Sequence, residues 1–121
     1  MNEPIEIFVI EYLTGKDLSV GPHIYAEVPA EDIPEKYLLV EKTGSSRVNR
    51  IEQAMVAIRS VSRNRQQGML DVIRLNAEVK KAMDEIIERD EIFRCECNSD
   101  HNFTNTQTKE YRYQAVFNLY Y

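Results

Sequence analysis

Apolar residues near the start of the chain recur at the spacing of an α-helix. They fall at positions i, i+3, i+4, i+7 and i+8 and form one continuous stripe. The stripe consists of Ile5, Phe8, Val9, Tyr12 and Leu13. Asn2 is expected to cap the start of this helix, Pro4 suits its first turn, and Gly15 offers a left-handed stop. The pattern therefore predicts a short N-terminal amphipathic helix.

Three β-strands are predicted after this helix. His23–Val28 is interpreted as a short strand that ends at Pro29, because proline cannot donate to a sheet ladder. The unbroken apolar run in Tyr37–Lys42 indicates a strand that is central or buried on both faces. Ile51–Val61 alternates and is interpreted as a strand, although its alanines and methionine also suit a helix. Between these last two strands, Thr43–Arg50 is predicted to form a small, mobile polar loop.

A long amphipathic helix is predicted over about Arg65–Arg89. Its apolar positions step by three or four residues, which is typical of a helix with one buried face. These positions are Met69, Val72, Leu75, Val79, Met83 and Ile86. Gly68 either weakens the first turn or marks the place where the helix begins.

The end of the chain carries the clearest β pattern. Tyr111–Tyr121 alternates strictly with a period of two, and Ile92–Asn98 alternates in a similar way and is its predicted antiparallel partner. The polar connection Ser99–Lys109 is long for a hairpin loop, and such loops often make a scaffold's contacts. We therefore predict a single α+β domain over residues 1–121. It has an antiparallel or mixed sheet, both helices on one face and a C-terminal β-hairpin.

Composition narrows the classes of function. The chain has 121 residues and a net charge of −5, so it is a poor candidate for binding DNA phosphates. A local basic patch stays open as an alternative to a solvated strand face and loop, formed by Arg47, Arg50, Arg59, Arg63 and Arg65. No apolar run approaches the length of a membrane span, and the N-terminus lacks the basic segment of a signal peptide. We therefore expect a cytosolic protein that does not bind membranes.

No catalytic motif is present. The chain contains neither a Gly-rich loop followed by Lys and Ser/Thr nor a nucleophile elbow, and no cofactor is expected. Cys95 and Cys97 would share one face of a strand, and His101 is the nearest possible third ligand. A small metal-binding or enzymatic domain that uses these residues stays open as an alternative.

Tyrosine is concentrated at the C-terminus, in the terminal strand. Tyr111, Tyr113, Tyr120 and Tyr121 all lie within it. Tyrosine suits half-buried surfaces and interfaces, because it joins a large apolar body to a hydroxyl tip. Tyr120 and Tyr121 point to opposite faces, so burial of both requires a second covering layer, which a neighbouring subunit could supply.

The order of elements resembles that of the tail terminator (tail completion) proteins of long-tailed phages and prophages. The pieces that carry the resemblance are Glu27-Val28-Pro29, Tyr37-Leu-Leu-Val-Glu-Lys-Thr-Gly, the strand through Ala54, Val56 and Ile58, Ser62-Arg63 before the long helix, and the terminal strand. The resemblance implies a homohexameric ring that caps the finished tail tube and presents a docking surface to the head connector. DNA would pass through the ring without specific binding.

The resemblance implies where the protein is found and which residues make its assembly contacts. The protein is expected in the virion tail, and in the host cytoplasm during assembly. The candidate assembly contacts are Thr43, Gly44, Ser45, Ser46, Arg47, Asn49, Arg50, Asn102, Phe103, Thr104, Tyr120 and Tyr121. A head-closure or minor capsid adaptor of similar size remains the alternative within the structural class.

Overall fold

A computed structural model describes residues 3–104, 107–108 and 110–121. Within these ranges the chain forms two α-helices, five β-strands and a short 3-10 turn. In chain order these are α1 (Ile5–Thr14), β1 (Ile24–Tyr25), β2 (Lys36–Val48), β3 (Ile51–Ser62), α2 (Gly68–Asp84), the 3-10 turn (Ile86–Glu88), β4 (Arg94–Asn102) and β5 (Tyr111–Tyr120).

The strands form one mixed sheet in the order β1-β2-β3-β5-β4. Short β1 runs parallel to β2, and the other neighbouring pairs are antiparallel. The C-terminal strand therefore lies between β3 and β4, in the interior of the sheet. The predicted pairing of the last two strands is confirmed.

Both helices pack on the same face of the sheet, which we call the helix face. α1 lies over β1 and β2, and α2 lies over β3 and β5. The core between them is apolar and contains the fully buried Leu38, Ile58 and Phe117. The Tyr12 hydroxyl donates to the carbonyl of Ala82 at 2.6 Å and ties the two helices together. The predicted α+β class, with helices on one face, is confirmed.

The ends of α1 differ from the prediction. Pro4 occupies the N-cap position without a side-chain hydrogen bond, and the predicted cap Asn2 lies outside the described residues. Gly15 has φ −77°, so the expected left-handed stop is wrong. Its amide still donates to the Glu11 carbonyl, and this bond closes the last turn without a left-handed residue.

The long helix is shorter than the predicted span Arg65–Arg89. A turn precedes it, because the Asn64 side-chain oxygen accepts from the amides of Gln66 and Gln67, both at 2.9 Å. The helix then begins at Gly68, as one of the two sequence interpretations held. At its other end the chain tightens into the 3-10 turn.

The segment Thr43–Arg50 is not a loop, and that prediction is wrong. β2 continues to Val48, with a register shift between Lys42 and Gly44, and pairs with β3 along its length. Only Asn49 and Arg50 form the turn, with φ values of 50° and 66°. Positive φ at both central residues is the geometry of a type I′ turn, whose twist matches that of the paired strands.

Two other strand boundaries were also misplaced. The predicted strand His23–Val28 contributes only Ile24–Tyr25. β4 extends to Asn102, so the first part of the predicted connection Ser99–Lys109 is strand, and residues 105, 106 and 109 lie outside the described ranges. Backbone pairing with β5 extends this polar strand beyond the alternating pattern that predicted it. No helix among the described residues has the length and apolar character that a bilayer span requires.

Replacing Gly68 with alanine should destabilise the fold. A Cβ at this position would lie 2.1 Å from Cδ2 of the Tyr111 ring, so the ring or the helix must move. Overpacking of this kind typically costs about 1–3 kcal/mol, which denaturant unfolding can measure. Gly15→Ala is the matched control, because its nearest neighbour would be 3.6 Å away. Equal stabilities for the two variants would contradict the close packing of Gly68.

Candidate assembly surface

The sheet face opposite the helices, here called the outer face, has no helix over it among the described residues. Ladder register places Leu39, Arg59, Gln114 and Tyr120 on this face. All four side chains are half-buried. Most neighbouring positions on the same strands face the helices and are buried, as alternation requires. Tyr37, Ala57 and Val61 share this face and are at most 1% exposed, so only part of the outer face is available to partners.

The turn between β2 and β3 carries an exposed apolar pair. Val48 and Ile51 flank the turn, are paired in the ladder, and are 66% and 45% exposed. We call Val48–Ile51 the hairpin tip. A shallow depression of about 240 Å³ adjoins it on the outer face, lined in part by Ser46 and Tyr120. Exposed apolar groups at the end of a projecting hairpin are typical of a contact surface.

The base of the hairpin contains the other candidates from this segment. Thr43 lies at the register shift, and its hydroxyl donates to the Met55 carbonyl at 3.3 Å. Beyond it, Gly44 and the side chain of Ser46 lie on the outer face, and the side chains of Ser45 and Arg47 lie on the helix-face side of the hairpin. These residues are ladder positions of β2, so their arrangement is that of a strand edge.

The start of the β4–β5 connection is held on the outer face by Phe103. Its amide donates to the Arg112 carbonyl at 2.8 Å, and its ring lies 5.2 Å from the Arg59 guanidinium. The His101 ring meets it edge-on at 5.9 Å. Thr104 follows, and its amide donates to the Asn102 side-chain oxygen at 2.9 Å. This part of the connection is therefore ordered by specific contacts.

Arg59 joins three strands on the outer face. Its Nε donates to the Gln114 amide oxygen on β5 at 2.8 Å, and its guanidinium lies 3.5 Å from the Glu41 carboxylate on β2. Arginine suits this position because its planar group can stack on an aromatic ring and donate at its edge at once. Sequence analysis missed this arrangement, since its members lie far apart in the chain.

The structure places the two candidate regions at opposite ends of the strands. Residues near the end of β5 pair with Gln53 and Arg94, beside the hairpin tip, whereas the start of β5 pairs with Asn102. The hairpin tip and Tyr120 therefore lie at one end of the strands. Asn102, Phe103 and Thr104 lie at the other end. Each chain thus presents two separate candidate contact regions.

The last two tyrosines have different environments, as their alternation predicts. Tyr120 lies on the outer face, where the Arg94 guanidinium is 5.7 Å from its ring. Tyr121 packs against the core and exchanges two backbone hydrogen bonds with Glu52, at 2.8 and 2.9 Å. Burial and the Glu52 carboxylate raise the pKa of the Tyr121 hydroxyl. Tyr120 is therefore the better candidate for contact with another chain.

The alternative metal or thiol site is not supported by the geometry. Cys95 and Cys97 lie on the helix face, whereas His101 lies on the outer face. Burial raises the pKa of the Cys95 thiol to about 12, which disfavours the thiolate that a nucleophile or metal ligand needs. Within the described ranges, no three side chains among His, Cys, Asp and Glu converge as a metal-binding group.

The comparisons with known proteins support the fold. No protein-family model matches the sequence, and the comparison with curated proteins finds no match. Among solved structures, the chain is similar to one in the virion of a native gene transfer agent particle, with a TM-score of 0.69 and 14% identity. The similarity covers 90% of this chain and 89% of the other. At this identity, the two chains share a fold.

Proposed function

We propose that this protein is a structural subunit of a phage-like virion that forms a ring on the end of the tail tube. The ring would stop growth of the tube and provide the surface to which the head connector binds. The observation that carries the proposal is the separation of the two candidate contact regions, with the hairpin tip at one end of the strands and Phe103 at the other. A subunit of a joining ring needs one surface for each of two partners.

The fold similarity supports the same class of function. A solved structure that shares this fold over nine-tenths of the chain belongs to a virion particle. The mechanism proposed for the present chain is steric, since a closed ring leaves no free position for another tube subunit. No reaction is part of it.

The charge of the chain is compatible with a lumen that DNA crosses. A net charge of −5 gives a surface that repels phosphate more than it attracts it. DNA would therefore pass without specific binding. The protein would act in the virion tail after assembly in the host cytoplasm.

Light scattering across a wide range of protein concentration tests the proposal. We expect the mass to rise from that of the 14.2 kDa chain toward that of a hexamer, because a ring closes by repeating one contact. Electron microscopy of the same samples should show rings. A protein that stays monomeric at every concentration, and that fails to cap purified tail tubes, would contradict the proposal.

A head-closure or minor capsid adaptor is the competing structural function. Two contact regions at opposite ends also suit an adaptor. Mixing the protein with purified tail tubes and with purified connectors separates the two functions, because only the terminator should arrest tube growth in the absence of connectors.

A further inference from the structure

The sheet has two open edges. β1 pairs with β2 only at Leu38 and Leu39, so no strand among the described residues covers β2 beyond this point. At the opposite edge, nine-residue β4 pairs with β5 on one side, and no other strand in the described ranges pairs with it. An open edge presents unpaired backbone N–H and C=O groups, which can pair with another strand.

The second half of β4 presents Asp100 and Asn102 to its open edge. The amide of Phe103 donates to the Arg112 carbonyl on β5 at 2.8 Å, in register with the ladder. Residues of a strand alternate in the direction of their N–H groups. Asp100 and Asn102 therefore turn their backbone groups away from β5.

The first half of β4 presents Cys95 and Cys97 in the same way. Tyr121 exchanges two backbone hydrogen bonds with Glu52 of β3, so alternate residues of β5 also face β3. Cys95 and Cys97 lie opposite Leu119 and Phe117, two residues of β5 whose backbone groups face β3. Cys95 and Cys97 therefore form no backbone hydrogen bonds with them. Their backbone groups therefore point to the open edge.

On β2 the residues whose backbone groups point to the open edge are Lys42, Ser45 and Arg47. The amide of Leu38 donates to His23 on the β1 side at 3.0 Å, so Lys42 also faces that side by alternation. Beyond the register shift, the residues that flank the two-residue turn form a hydrogen-bonded pair. Ser45 and Arg47 consequently face the open edge.

The directions of the strands allow these edges to meet. β2 and β5 run in one direction, and β3 and β4 run in the other. Rotation about an axis near the strand direction preserves these directions, so β4 of one copy meets β2 of the next in antiparallel orientation. Within one copy Asp100 is level with Val40, so strands tilted by about 15° from the axis bring Asp100 level with Lys42 of the next copy, two residues further along. Such a contact is heterologous and repeats until the ring closes.

Each of the two edges also carries one register shift. β2 shifts register between Lys42 and Gly44, and β4 shifts between Cys97 and Ser99. At that shift, each edge has one extra residue between two consecutive residues whose backbone groups point to the open edge. With the two irregularities aligned, outward residues meet outward residues along the ladder. The pairs are Lys42 with Asp100, Ser45 with Cys97, and Arg47 with Cys95.

We propose that the ring is built by this pairing of β2 in one copy with β4 in the next. The inference rests on the proposed function and names the surface through which its ring closes. Side chains support the register, because Lys42 then lies opposite Asp100, and Glu41 lies opposite His101 on the outer face. Asp100 is held ionised by Lys80, whose ammonium lies 2.8 Å away and lowers the pKa of the carboxyl. No two like charges are opposed.

A disulfide between copies tests the register. Ser45→Cys places a thiol opposite the native, exposed Cys97 of the next copy. The Cα atoms of such a hydrogen-bonded pair lie about 5.5 Å apart, within the range of a disulfide. Within one copy, β2 and β4 are separated by β3 and β5, a distance of about 14 Å at the usual strand spacing. An intramolecular bond is therefore excluded.

Mild oxidation of Ser45→Cys should give covalent dimers, trimers and larger multimers up to a closed ring on a non-reducing gel. Mass spectrometry should place the bond between position 45 and Cys97. Adding Cys97→Ser should abolish these covalent multimers. Ser46→Cys, whose side chain faces the other side of the strand, should give none.

The possible outcomes separate this inference from the proposed function. A wild-type protein that forms rings while Ser45→Cys gives no 45–97 bond would overturn the edge pairing and leave the proposed function standing. Bonding to Cys95 would overturn the register, and covalent products that stop at dimers would overturn the heterologous contact. A chain that neither cross-links nor exceeds the mass of a monomer, and that fails to cap purified tail tubes, would overturn both proposals.

Discussion

Phe117→Ala is expected to lower the free energy of unfolding by about 3–5 kcal/mol, the usual cost of removing a buried aromatic ring. Phe117 is 1% exposed and belongs to the core beneath α2. On the sheet it lies between Val56 of β3 and Cys97 of β4. Few neighbouring side chains can move to fill the cavity that the missing ring leaves, because β3 and β4 flank Phe117 on both sides. Denaturant unfolding at a concentration where the chain is monomeric measures the loss.

Val116→Ala is the matched control, one residue away on the same strand. Its side chain lies on the outer face, which lacks a helical layer among the described residues, and is 8% exposed. Removing two methyl-sized groups should cost about 1–2 kcal/mol. A loss as large as that of Phe117→Ala would contradict the expectation that removing fewer buried carbon atoms costs less.

The regular parts of the fold were predictable because burial imposes a period on the sequence. The stripe through Val72, Leu75, Val79 and Met83 predicts α2, and all four side chains are buried. The alternation of Tyr111–Tyr121 predicts β5, which has core on one side and the outer face on the other. These elements were predicted correctly because each buries one face, and the apolar residues of that face recur at the period of the helix or strand.

The second half of β2 was not predictable in the same way. Its residues from Thr43 to Val48 are polar or exposed, so no buried face imposes a period on them. The strand exists because its backbone pairs with β3 and because Asn49 and Arg50 accept positive φ. Backbone pairing leaves little trace in residue type, and the polar composition therefore predicted a loop.

The candidate site was predicted in part for a related reason. Polar composition marked both segments that now lie at the ends of the sheet. It carried no information on the open edges, which depend on the order of the strands. It also carried none on the contact of Arg59 with Phe103, which joins residues from distant strands.

Shortening the β2–β3 hairpin is expected to abolish assembly while preserving the fold. Replacing Arg47–Glu52 with Asn-Gly leaves Ser46 and Gln53 to flank a new two-residue turn, in the same kind of hydrogen-bonded pair that Val48 and Ile51 form. The core residues on β3 begin at Ala54 and are untouched. The change removes the apolar tip and the outward groups of Arg47.

The cost to folding should be small. The variant loses the two backbone hydrogen bonds between Glu52 and Tyr121, worth about 1–3 kcal/mol together. Circular dichroism should therefore keep its native form. Light scattering should report a monomer at concentrations where the wild-type chain forms rings.

A second variant separates hairpin length from surface chemistry. Val48→Thr with Ile51→Thr keeps the length and the strand propensity of the tip and removes its apolar surface. If the ring closes through the edges of β2 and β4, this variant should retain the wild-type mass but fail to cap tail tubes, because the tip then lacks its apolar contact. A shortened chain that still forms rings and caps tubes would exclude the hairpin tip and Arg47 from assembly.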